Sequence, residues 1–305
     1  MIQNIKPYME HVKGNTYCII TGYCRFPLYK YTDTEAILLD SGLPYDWEGI
    51  LECIENAGLR ITAALTSHGH PDHLGNHLNL RKHFGTRIYM SLYAAAVYAD
   101  PMNQVACTMG MSSYQKMCKY VGKGIQPDEW IDPKAPTVTV EGVPFGVLYT
   151  PGHNAEHMCF VTPDNVAYLA DAILSEHIAR AIRTPFCTCP ELDLASKEML
   201  MDTRYDCYIL AHNGTVTDIR ALAQLNRDLL LEKIQMVAAF CDHYITLEEL
   251  SIRVMEATHN EMDSARKVLG TQRNVTAFLA YLMDQKQVVV RANGGRVEFI
   301  RTELQ

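Results

Sequence analysis

The stretch ALTSHGHPDHLGNH, residues 64–77, places His68, His70, Asp72 and His73 within six consecutive positions. In an extended segment, residues two apart point to the same side, so the first two histidines can face one point. The proline that follows them is favoured at the start of a helix, whose first turn would carry the aspartate and the third histidine. Imidazole nitrogens and carboxylate oxygens are ligands that zinc takes in proteins. The stretch therefore predicts a metal site, and four ligands this close together favour two adjacent ions.

Outside this stretch, strand-like segments alternate with helical patterns. Segments rich in β-branched and apolar residues and bounded by Gly, Asn or Asp are typical of strands. An amphipathic segment that ends at Gly58 separates the strand-like segments 35–42 and 60–68. This alternation predicts a layered α/β fold. The strand-like segments are NTYCIITGY (15–23), EAILLDSG (35–42), RITAALTSH (60–68), TVTVEG (137–142), FGVLYTPGH (145–153), HMCFVT (157–162) and VAYLAD (166–171).

Length and composition restrict the class of protein. The chain has 305 residues, of which 48% are hydrophobic and 20% charged, as expected for a globular protein with one large and one small domain. Its net charge of −8 disfavours nucleic acid as a partner, because tracking a phosphate backbone calls for a basic surface. No apolar run approaches the roughly 20 residues of a membrane span, and the N-terminus lacks the apolar region of a secretory signal. We therefore expect a cytoplasmic protein without a membrane partner, whose ten cysteines are free thiols.

Two regions differ from the strand-and-helix pattern. Residues 92–130 are rich in Met and Tyr, which predicts a packed helical insertion or, alternatively, an adaptable apolar wall over a pocket. Residues 246–301 contain a helix start with a capping-box pattern, a second helix and two strands around an Asn-Gly-Gly turn. We therefore expect a catalytic domain over residues 1–240 and a winged-helix-like domain over residues 241–305. Its basic and acidic residues balance, which favours a pocket wall or a homodimer contact over nucleic-acid binding.

Three further polar residues stand where an apolar strand stops. His153 follows TPG, Asp171 ends VAYLA and His212 ends CYILA. Functional side chains are commonly placed on loops that a rigid sheet positions. Together with the first stretch they form a set of candidate metal ligands.

These motifs resemble those of the metallo-β-lactamase superfamily, in order and roughly in spacing, over about residues 15–240. The matching pieces are SHGHPDHLGN, TPGHNAEH, YLADAI, LAHNG and, at the usual opening motif, Asp40 in LLDSG. The resemblance implies an αββα sandwich of two mixed sheets with helices outside. It implies two divalent metal ions, with zinc as the default and iron or manganese as alternatives. In this interpretation His68, His70 and His153 hold the first ion, Asp72, His73 and His212 hold the second, Asp171 bridges both, and Asp40 orients a ligand.

The implied mechanism is attack by a metal-bridging hydroxide, with Asp72 as the catalytic residue that orients it and relays its proton. Substrate contacts are expected, on weaker grounds, from His157, Arg180 and Arg183. Either arginine could clamp a carboxylate or phosphate, although solvated surface is the alternative for both. His157 could equally bond a backbone group.

The resemblance leaves several functions open. A small-molecule ester, thioester or lactone is the expected substrate of a metal-dependent hydrolase, as in enzymes of the glyoxalase II type. The segment ADAIL around Asp171 differs from the GDTLF usual in that type, which weakens the case for a glutathione thioester. The winged-helix-bearing subgroup includes enzymes that cleave RNA, so a nucleic-acid-processing hydrolase is the alternative. A metal-dependent redox or sensor protein is the third hypothesis, although diiron reductases of the superfamily carry Glu where this chain has His70.

Overall fold

The computed structural model describes residues 5–107 and 124–304, together with residues 115 and 118. Within these ranges a seven-stranded sheet and a six-stranded sheet face each other. Both sheets are mixed, because β4 to β7 run parallel in the first, and β11 and β12 run parallel in the second. The strands of the first sheet, in spatial order, are β1 (Tyr8–Lys13), β2 (Thr16–Ile20), β3 (Arg25–Lys30), β4 (Glu35–Leu39), β5 (Arg60–Leu65), β6 (Arg87–Ser91) and β7 (Glu129–Ile131). Those of the second are β13 (Gly214–Val216), β12 (Cys207–Leu210), β11 (Val166–Ala170), β10 (Met158–Val161), β9 (Val143–Tyr149) and β8 (Thr137–Val140).

Helices pack around the sheets, as the αββα expectation requires. The apolar side chains between the two sheets form one core cluster, to which Phe26 and Leu38 contribute from the first sheet and Phe145 and Phe160 from the second. The predicted mixed sandwich is therefore confirmed. The α-helices of the described ranges are α1 (Trp47–Asn56), α2 (Pro71–Leu74), α3 (His77–Phe84), α4 (Leu92–Tyr98), α5 (Pro101–Cys107), α6 (Glu176–Ala181), α7 (Pro190–Met201), α8 (Arg220–Phe240), α9 (Leu247–Ala257) and α10 (Ala265–Asp284). Short 3-10 turns lie at Pro44–Asp46 and Thr302–Leu304.

The Met- and Tyr-rich region 92–130 begins with α4 and α5, and ends with β7. The side chain of Ser91 accepts a hydrogen bond from the backbone N–H of Ala94 and so caps α4. Residues 108–114, 116–117 and 119–123 lie outside the described residues. The prediction of a packed helical insertion or an apolar wall therefore falls outside the described residues at these positions.

The C-terminal elements pack on the rest of the chain. A three-stranded sheet of β14 (Ile245–Thr246), β16 (Arg296–Arg301) and β15 (Val288–Asn293) accompanies α9 and α10. One core cluster contains Leu230 and Ile234 of α8 together with Phe278 and Leu282 of α10. Since this cluster combines side chains from both sides of residue 240, the C-terminal elements share their apolar core with the end of the preceding region.

The loops at the carboxyl ends of five strands lie at one edge of the sandwich. They follow β4, β5, β9, β11 and β12, and carry the polar residues that the sequence singles out. Three non-glycine residues at this edge have positive φ: Asp40 at 64°, Ala170 at the end of β11 at 44°, and Asn213 at 60°. Non-glycine residues with positive φ cost energy and are concentrated at functional sites. All ten cysteines are free thiols, and no helix in the described ranges has the length and apolar character that a membrane span requires.

Candidate metal centre

The structure brings all seven predicted ligands together in two groups. His68, His70, His153 and Asp171 form the first group, and Asp72, His73, Asp171 and His212 form the second. Within each group, one nitrogen or carboxylate oxygen per residue lies within 4.8 Å of the others. Asp171 belongs to both groups, so the two clusters are adjacent and share one carboxylate.

In the first group three imidazoles face one carboxylate oxygen. His68 Nε2 lies 2.9 Å from His70 Nδ1, and His153 Nε2 lies 3.1 Å from the same nitrogen. Asp171 Oδ2 is 3.3 Å from His153 Nε2 and 3.8 Å from His68 Nε2. A Zn–N bond is about 2.0–2.1 Å, so nitrogens this close together can be ligands of a common ion.

The second group surrounds the other oxygen of Asp171. Its Oδ1 lies 3.4 Å from His73 Nε2 and 3.3 Å from His212 Nε2. Asp72 Oδ2 is 3.4 Å from His212 Nε2 and 3.7 Å from His73 Nε2. Asp72 and His73 reach this point from the first turn of α2, which begins at a proline as expected.

Two buried atoms test whether this arrangement fits a cation. His73 Nε2 and Asp171 Oδ1 are both buried and make no hydrogen bond with any described residue. A buried polar atom without a partner costs roughly 1–3 kcal/mol, so native structures rarely keep one without a reason. Because both atoms are typical ligands and face each other at 3.4 Å, a divalent cation between them would satisfy both. The residues therefore fit two divalent ions that share Asp171.

The electrostatics of the two groups differ. Burial, together with the neighbouring His153 imidazole, lowers the pKa of His70 to about 3, so it is a neutral imidazole at pH 7. Burial also acts to lower the pKa of His212, but the adjacent carboxylates of Asp171 and Asp72 outweigh it and raise the pKa to about 10. Metal binding requires neutral histidines and displaces such protons. In the second group, a proton on His212 balances part of the carboxylate charge, and a bound divalent ion would replace that proton.

Asp40 holds one of the histidines from behind. His73 Nδ1 lies 2.7 Å from Asp40 Oδ2, which also accepts hydrogen bonds from the hydroxyls of Ser67 at 2.6 Å and Tyr168 at 2.7 Å. Asp40 Oδ1 accepts the backbone N–H of Ser67 at 2.7 Å. With Nδ1 engaged by the carboxylate, Nε2 of His73 is turned toward Asp171. Tyr168 was not predicted, although a tyrosine within the fully buried strand VAYLA needs a partner for its hydroxyl, and that need was the available signal.

The predicted substrate contacts of three residues need correction. His157 is fully buried and accepts the backbone N–H of Asp171 at 3.3 Å, with Thr150 Oγ1 2.7 Å from its other nitrogen. It therefore positions Asp171 and does not reach the cavity. Arg180 is exposed and pairs with Glu176 one turn earlier, and Arg183 is exposed as well. Neither arginine lines the cavity at the ligand clusters, because both side chains lie on the outer surface of α6 and its following loop.

Sequence reasoning also missed a contact from the C-terminal region. The ring of Phe186 lies 4.6 Å from the ring of His70 and 5.2 Å from that of His153, measured between centroids. The guanidinium of Arg273 from α10 stacks on the Phe186 ring, 3.4 Å from the ring centroid. Such a cation–π contact stabilises the ring position. Helix α10 therefore supports the rim of the first ligand group, and only the tertiary structure reveals it.

The loop that carries His153 lies directly on α7. The carbonyl of Gly152 accepts the backbone N–H groups of Thr188 and Cys189, at 2.8 and 3.0 Å. Gly152 has φ 130°, and a Cβ added there would lie 2.2 Å from the backbone N and Cα of Asp193. Only glycine allows the backbone at position 152 to lie this close to Asp193, so Gly152 is needed to hold His153 in its position.

We expect Gly152→Ala to lower metal content and activity together. The new methyl group must push α7 and the His153 loop apart, which removes one imidazole from the first group. Metal per chain, measured by mass spectrometry of dialysed protein, should fall by up to one equivalent. Gly142→Ala is the matched control, because Gly142 has φ 78° with no atom within 4 Å of an added Cβ, and should cost only about 1–2 kcal/mol of backbone strain. Unchanged metal content in Gly152→Ala would show that the His153 loop tolerates displacement.

A cavity of about 1010 Å³ opens onto both groups. Side chains of His70, Asp72, His153, Asp171 and His212 form its polar floor. This volume is at the upper end of the range for small-molecule sites, so an elongated ligand fits. Its walls include Tyr23, Arg25, Ile178, Phe186, Leu229 and Lys233.

Comparison with known proteins supports these observations. The model of the Metallo-beta-lactamase superfamily matches residues 28–221. A hydroxyacylglutathione hydrolase of Haemophilus influenzae is 25% identical over 188 residues, which cover 61% of this chain and 84% of that protein. An atrochrysone carboxyl ACP thioesterase of Aspergillus chevalieri is 26% identical over 212 residues, which cover 67% of this chain and 56% of that protein. The chain thus spans about half the length of the second relative.

The fold also resembles solved structures over nearly its whole length. A metallo-beta-lactamase family protein from Thermus thermophilus superposes with a TM-score of 0.70 at 19% identity, covering 97% of both chains. A beta-lactamase domain protein from Burkholderia ambifaria gives 0.71 at 16% identity, covering 96% of this chain and 93% of the other. Because the family model matches more than half of the chain, this protein is a hydrolase of the metallo-beta-lactamase superfamily.

Proposed function

We propose that the chain hydrolyses a thioester of a small-molecule or carrier-bound thiol, with two divalent ions held by the two ligand groups. The observation that carries the proposal is the single carboxylate of Asp171, which belongs to both groups and leaves its buried Oδ1 without a hydrogen bond in the described part of the chain. The relatives named for hydroxyacylglutathione and acyl-carrier thioesters favour a thioester over the ester and lactone alternatives. Zinc is the default metal for this nitrogen-rich set, with iron and manganese as alternatives.

When bound, the ions supply Lewis acidity toward the carbonyl oxygen and toward water. Hydrolysis joins the water oxygen to the acyl carbon, breaks the C–S bond and transfers a proton to the departing thiolate. Asp72 lines the cavity and its Oδ2 lies 3.4 Å from His212 Nε2, so we assign it as the residue that carries this proton. Asp40 keeps His73 oriented during the reaction.

A substrate panel tests the proposal. Metal-analysed protein is assayed with an ester, a thioester, a lactone and a phosphodiester, and kcat/KM is compared. We expect the thioester to be preferred and Asp72→Ala to lower its kcat by about 10²–10⁴-fold, the usual contribution of a positioned acid or base. Asp33→Ala, which removes an exposed carboxylate in the β3–β4 turn, is the matched control and should leave kcat unchanged. Turnover of the phosphodiester alone would contradict the proposal.

We also propose that residues 241–305 form a winged-helix-like module, and that this module closes the cavity. Helices α9 and α10 followed by the β15–β16 hairpin support this interpretation, and residue 240 is our proposed boundary of the catalytic region. Four of its eight basic side chains form ion pairs, which join Arg253 to Asp242, Lys267 to Asp263, Arg291 to Glu298 and Arg301 to Glu303, and a fifth, Arg273, stacks on Phe186. Paired charges leave little free cationic surface for nucleic acid. Uptake of single-stranded RNA at low salt, with the steep salt dependence of phosphate contacts, would instead support the nucleic-acid alternative.

A further inference from the structure

The segment 183–189, which connects α6 to α7, lies between the first ligand group and α10. On one side, two of its backbone N–H groups donate to the carbonyl of Gly152, directly before His153. On the other side, the side-chain amide of Asn274 from α10 donates to the carbonyl of Thr184 at 3.2 Å. The segment therefore connects the position of α10 to the position of a predicted metal ligand.

Apolar packing also attaches this segment to the C-terminal elements. Cys187 of the segment and Leu194 of α7 are buried in the same core cluster as Leu250 of α9 and Phe278 of α10. Helix α7, which begins directly after the segment, packs against α10 as well. Because protein cores are close-packed, the segment cannot shift away from α10 without leaving a void between them.

Arg273 of α10 makes three contacts at this interface with one planar group. Its guanidinium stacks on the Phe186 ring at 3.4 Å, Nη2 donates to Thr188 Oγ1 at 3.3 Å, and Nη1 donates to Asn274 Oδ1 at 3.3 Å. Within the described part of the chain, no carboxylate forms an ion pair with this half-buried cation. Arginine is suited to this place because its planar group stacks and donates in fixed directions, which a lysine ammonium does not.

Two of these contacts continue to metal ligands. The Thr188 hydroxyl accepts from Arg273 and donates to the carbonyl of His153 at 3.1 Å, so two hydrogen bonds in series join the guanidinium to the His153 backbone. Hydrogen bonds in series polarise and strengthen one another. The Phe186 ring meets the ring of His70 edge-on, at 87°, and is tilted by 49° to that of His153. Backbone and ring of His153, and the ring of His70, are thus held from the α10 side.

The second ligand group is held by other elements. His212 Nδ1 lies 3.1 Å from the carbonyl oxygen of Tyr23 in the β2–β3 turn, and the two rings are 4.9 Å apart. His73 is held by Asp40 at the end of β4. Among the described residues, none from α10 makes a hydrogen bond or ring contact with His73 or His212. A change in α10 should therefore act on one ligand group and not on the other.

We propose that Arg273 is a positioning residue for the first ligand group, which it fixes through Thr188 and Phe186, so that retention of one ion depends on α10. This inference rests on the two-ion centre of the proposed function and adds a role for the C-terminal elements in metal binding. Side chains that contact metal ligands contribute about 10–100-fold in metal affinity. Since Arg273 acts through intermediate side chains, we expect a contribution of about tenfold.

Zinc competition titrations with a chromophoric chelator test this proposal in two backgrounds. In the His212→Ala chain only the first group is complete, and in the His68→Ala chain only the second. Arg273→Met keeps an unbranched apolar side chain and removes the guanidinium. We expect it to weaken zinc binding about tenfold in the His212→Ala chain and by less than about twofold in the His68→Ala chain. Equal losses in the two backgrounds would indicate a general effect on the fold and would overturn the proposal.

Two further variants of α10 control for charge. Lys267→Ala removes another cation of this helix, whose partners Glu261 and Asp263 are exposed, and should leave zinc affinity unchanged in both backgrounds. Arg273→Lys keeps the positive charge without the stacked planar group, and should weaken zinc binding as Arg273→Met does. Wild-type affinity in Arg273→Lys would overturn the assignment, because charge alone would then be sufficient.

The path through Thr188 has its own test. Thr188→Val removes the hydroxyl and keeps the branched shape of the side chain. Because Arg273 and Thr188 act in series, Arg273→Met should cost less zinc affinity in the Thr188→Val chain than it does alone. Fully additive losses would overturn this path.

Amide hydrogen exchange of the metal-free chain tests the positioning role without an ion. The N–H groups of Thr188 and Cys189 donate to the Gly152 carbonyl, and we expect both to exchange about tenfold faster in Arg273→Met, with the amides of β10 and β11 unchanged. Unchanged exchange at both positions would overturn the proposal whatever the metal content. If the wild type held fewer than two zinc ions and the variant still showed the faster exchange, the two-ion centre would be contradicted while the positioning role would stand.

Discussion

Asp171→Ala will lower hydrolysis by more than about a hundredfold and remove metal from both ligand groups. Replacing residues that only touch metal ligands typically costs 10–100-fold, and Asp171 offers an oxygen to each group. The chain should remain folded, because Asp171 lies at the floor of the cavity and not between the sheets. Metal per chain, kcat/KM and the thermal midpoint of the metal-free protein are measured on the same preparation.

His68→Ala gives the comparison that makes this result specific. His68 belongs to the first group alone, so this variant should lose about one equivalent of metal while Asp171→Ala loses more. Dialysis of the wild type against a chelator should abolish activity, and added zinc should restore it in the wild type only. Near wild-type turnover by either variant after its metal is stripped would refute the assignment of the centre.

Asp40→Asn is expected to lower activity and stability together. The carboxylate of Asp40 accepts the Ser67 N–H and the hydroxyls of Ser67 and Tyr168, and it holds His73 Nδ1. An amide keeps the shape and tolerates the positive φ of 64°, but its NH₂ group must face donors. We expect a 10–100-fold loss of metal affinity or kcat/KM, and a loss of about 1–3 kcal/mol in the free energy of unfolding.

Tyr168→Phe provides a graded control for that prediction. It removes one of the donors to Asp40 Oδ2 and leaves Ser67 and His73 in place. Its cost should be about 1 kcal/mol in unfolding free energy and less than tenfold in activity. Equal effects of Asp40→Asn and Tyr168→Phe would show that the carboxylate does not act through His73. Urea denaturation and zinc competition titrations distinguish these outcomes.

The alternating strands and helices of a layered α/β fold were predictable from patterns of short range, whereas the superfamily, the hydrolase class and the mixed sandwich came from the resemblance of the motifs to a family. Strands such as VAYLA have a uniformly apolar composition, and the stretch 64–77 brings four polar side chains together through local geometry alone. His153, Asp171 and His212 were predicted as strand-end residues. The prediction that they meet the stretch 64–77, some 80 to 140 positions earlier, came from the resemblance to a family. Their role as metal ligands stays a prediction.

Contacts between distant segments explain what could not be predicted. His157 has the sequence context of a pocket residue, yet the packing of β9 against β10 buries it under Asp171. Arg180 and Arg183 follow Asp171 closely in sequence, but α6 turns both outward, whereas Arg266 and Lys233 reach the cavity from remote helices.

The amino-acid sequence by itself determined the alternating strands and helices of a layered α/β fold, the helix that begins at Pro71 and the set of strand-end histidines and aspartates. These depend on alternation, capping and turn residues, which act over a few positions. Only the tertiary structure decided that Gly152 must lack a side chain for α7 to approach, and that Arg273 stacks on Phe186 beside the histidines. Those features arise where side chains from separate elements meet, and their positions depend on how whole layers pack.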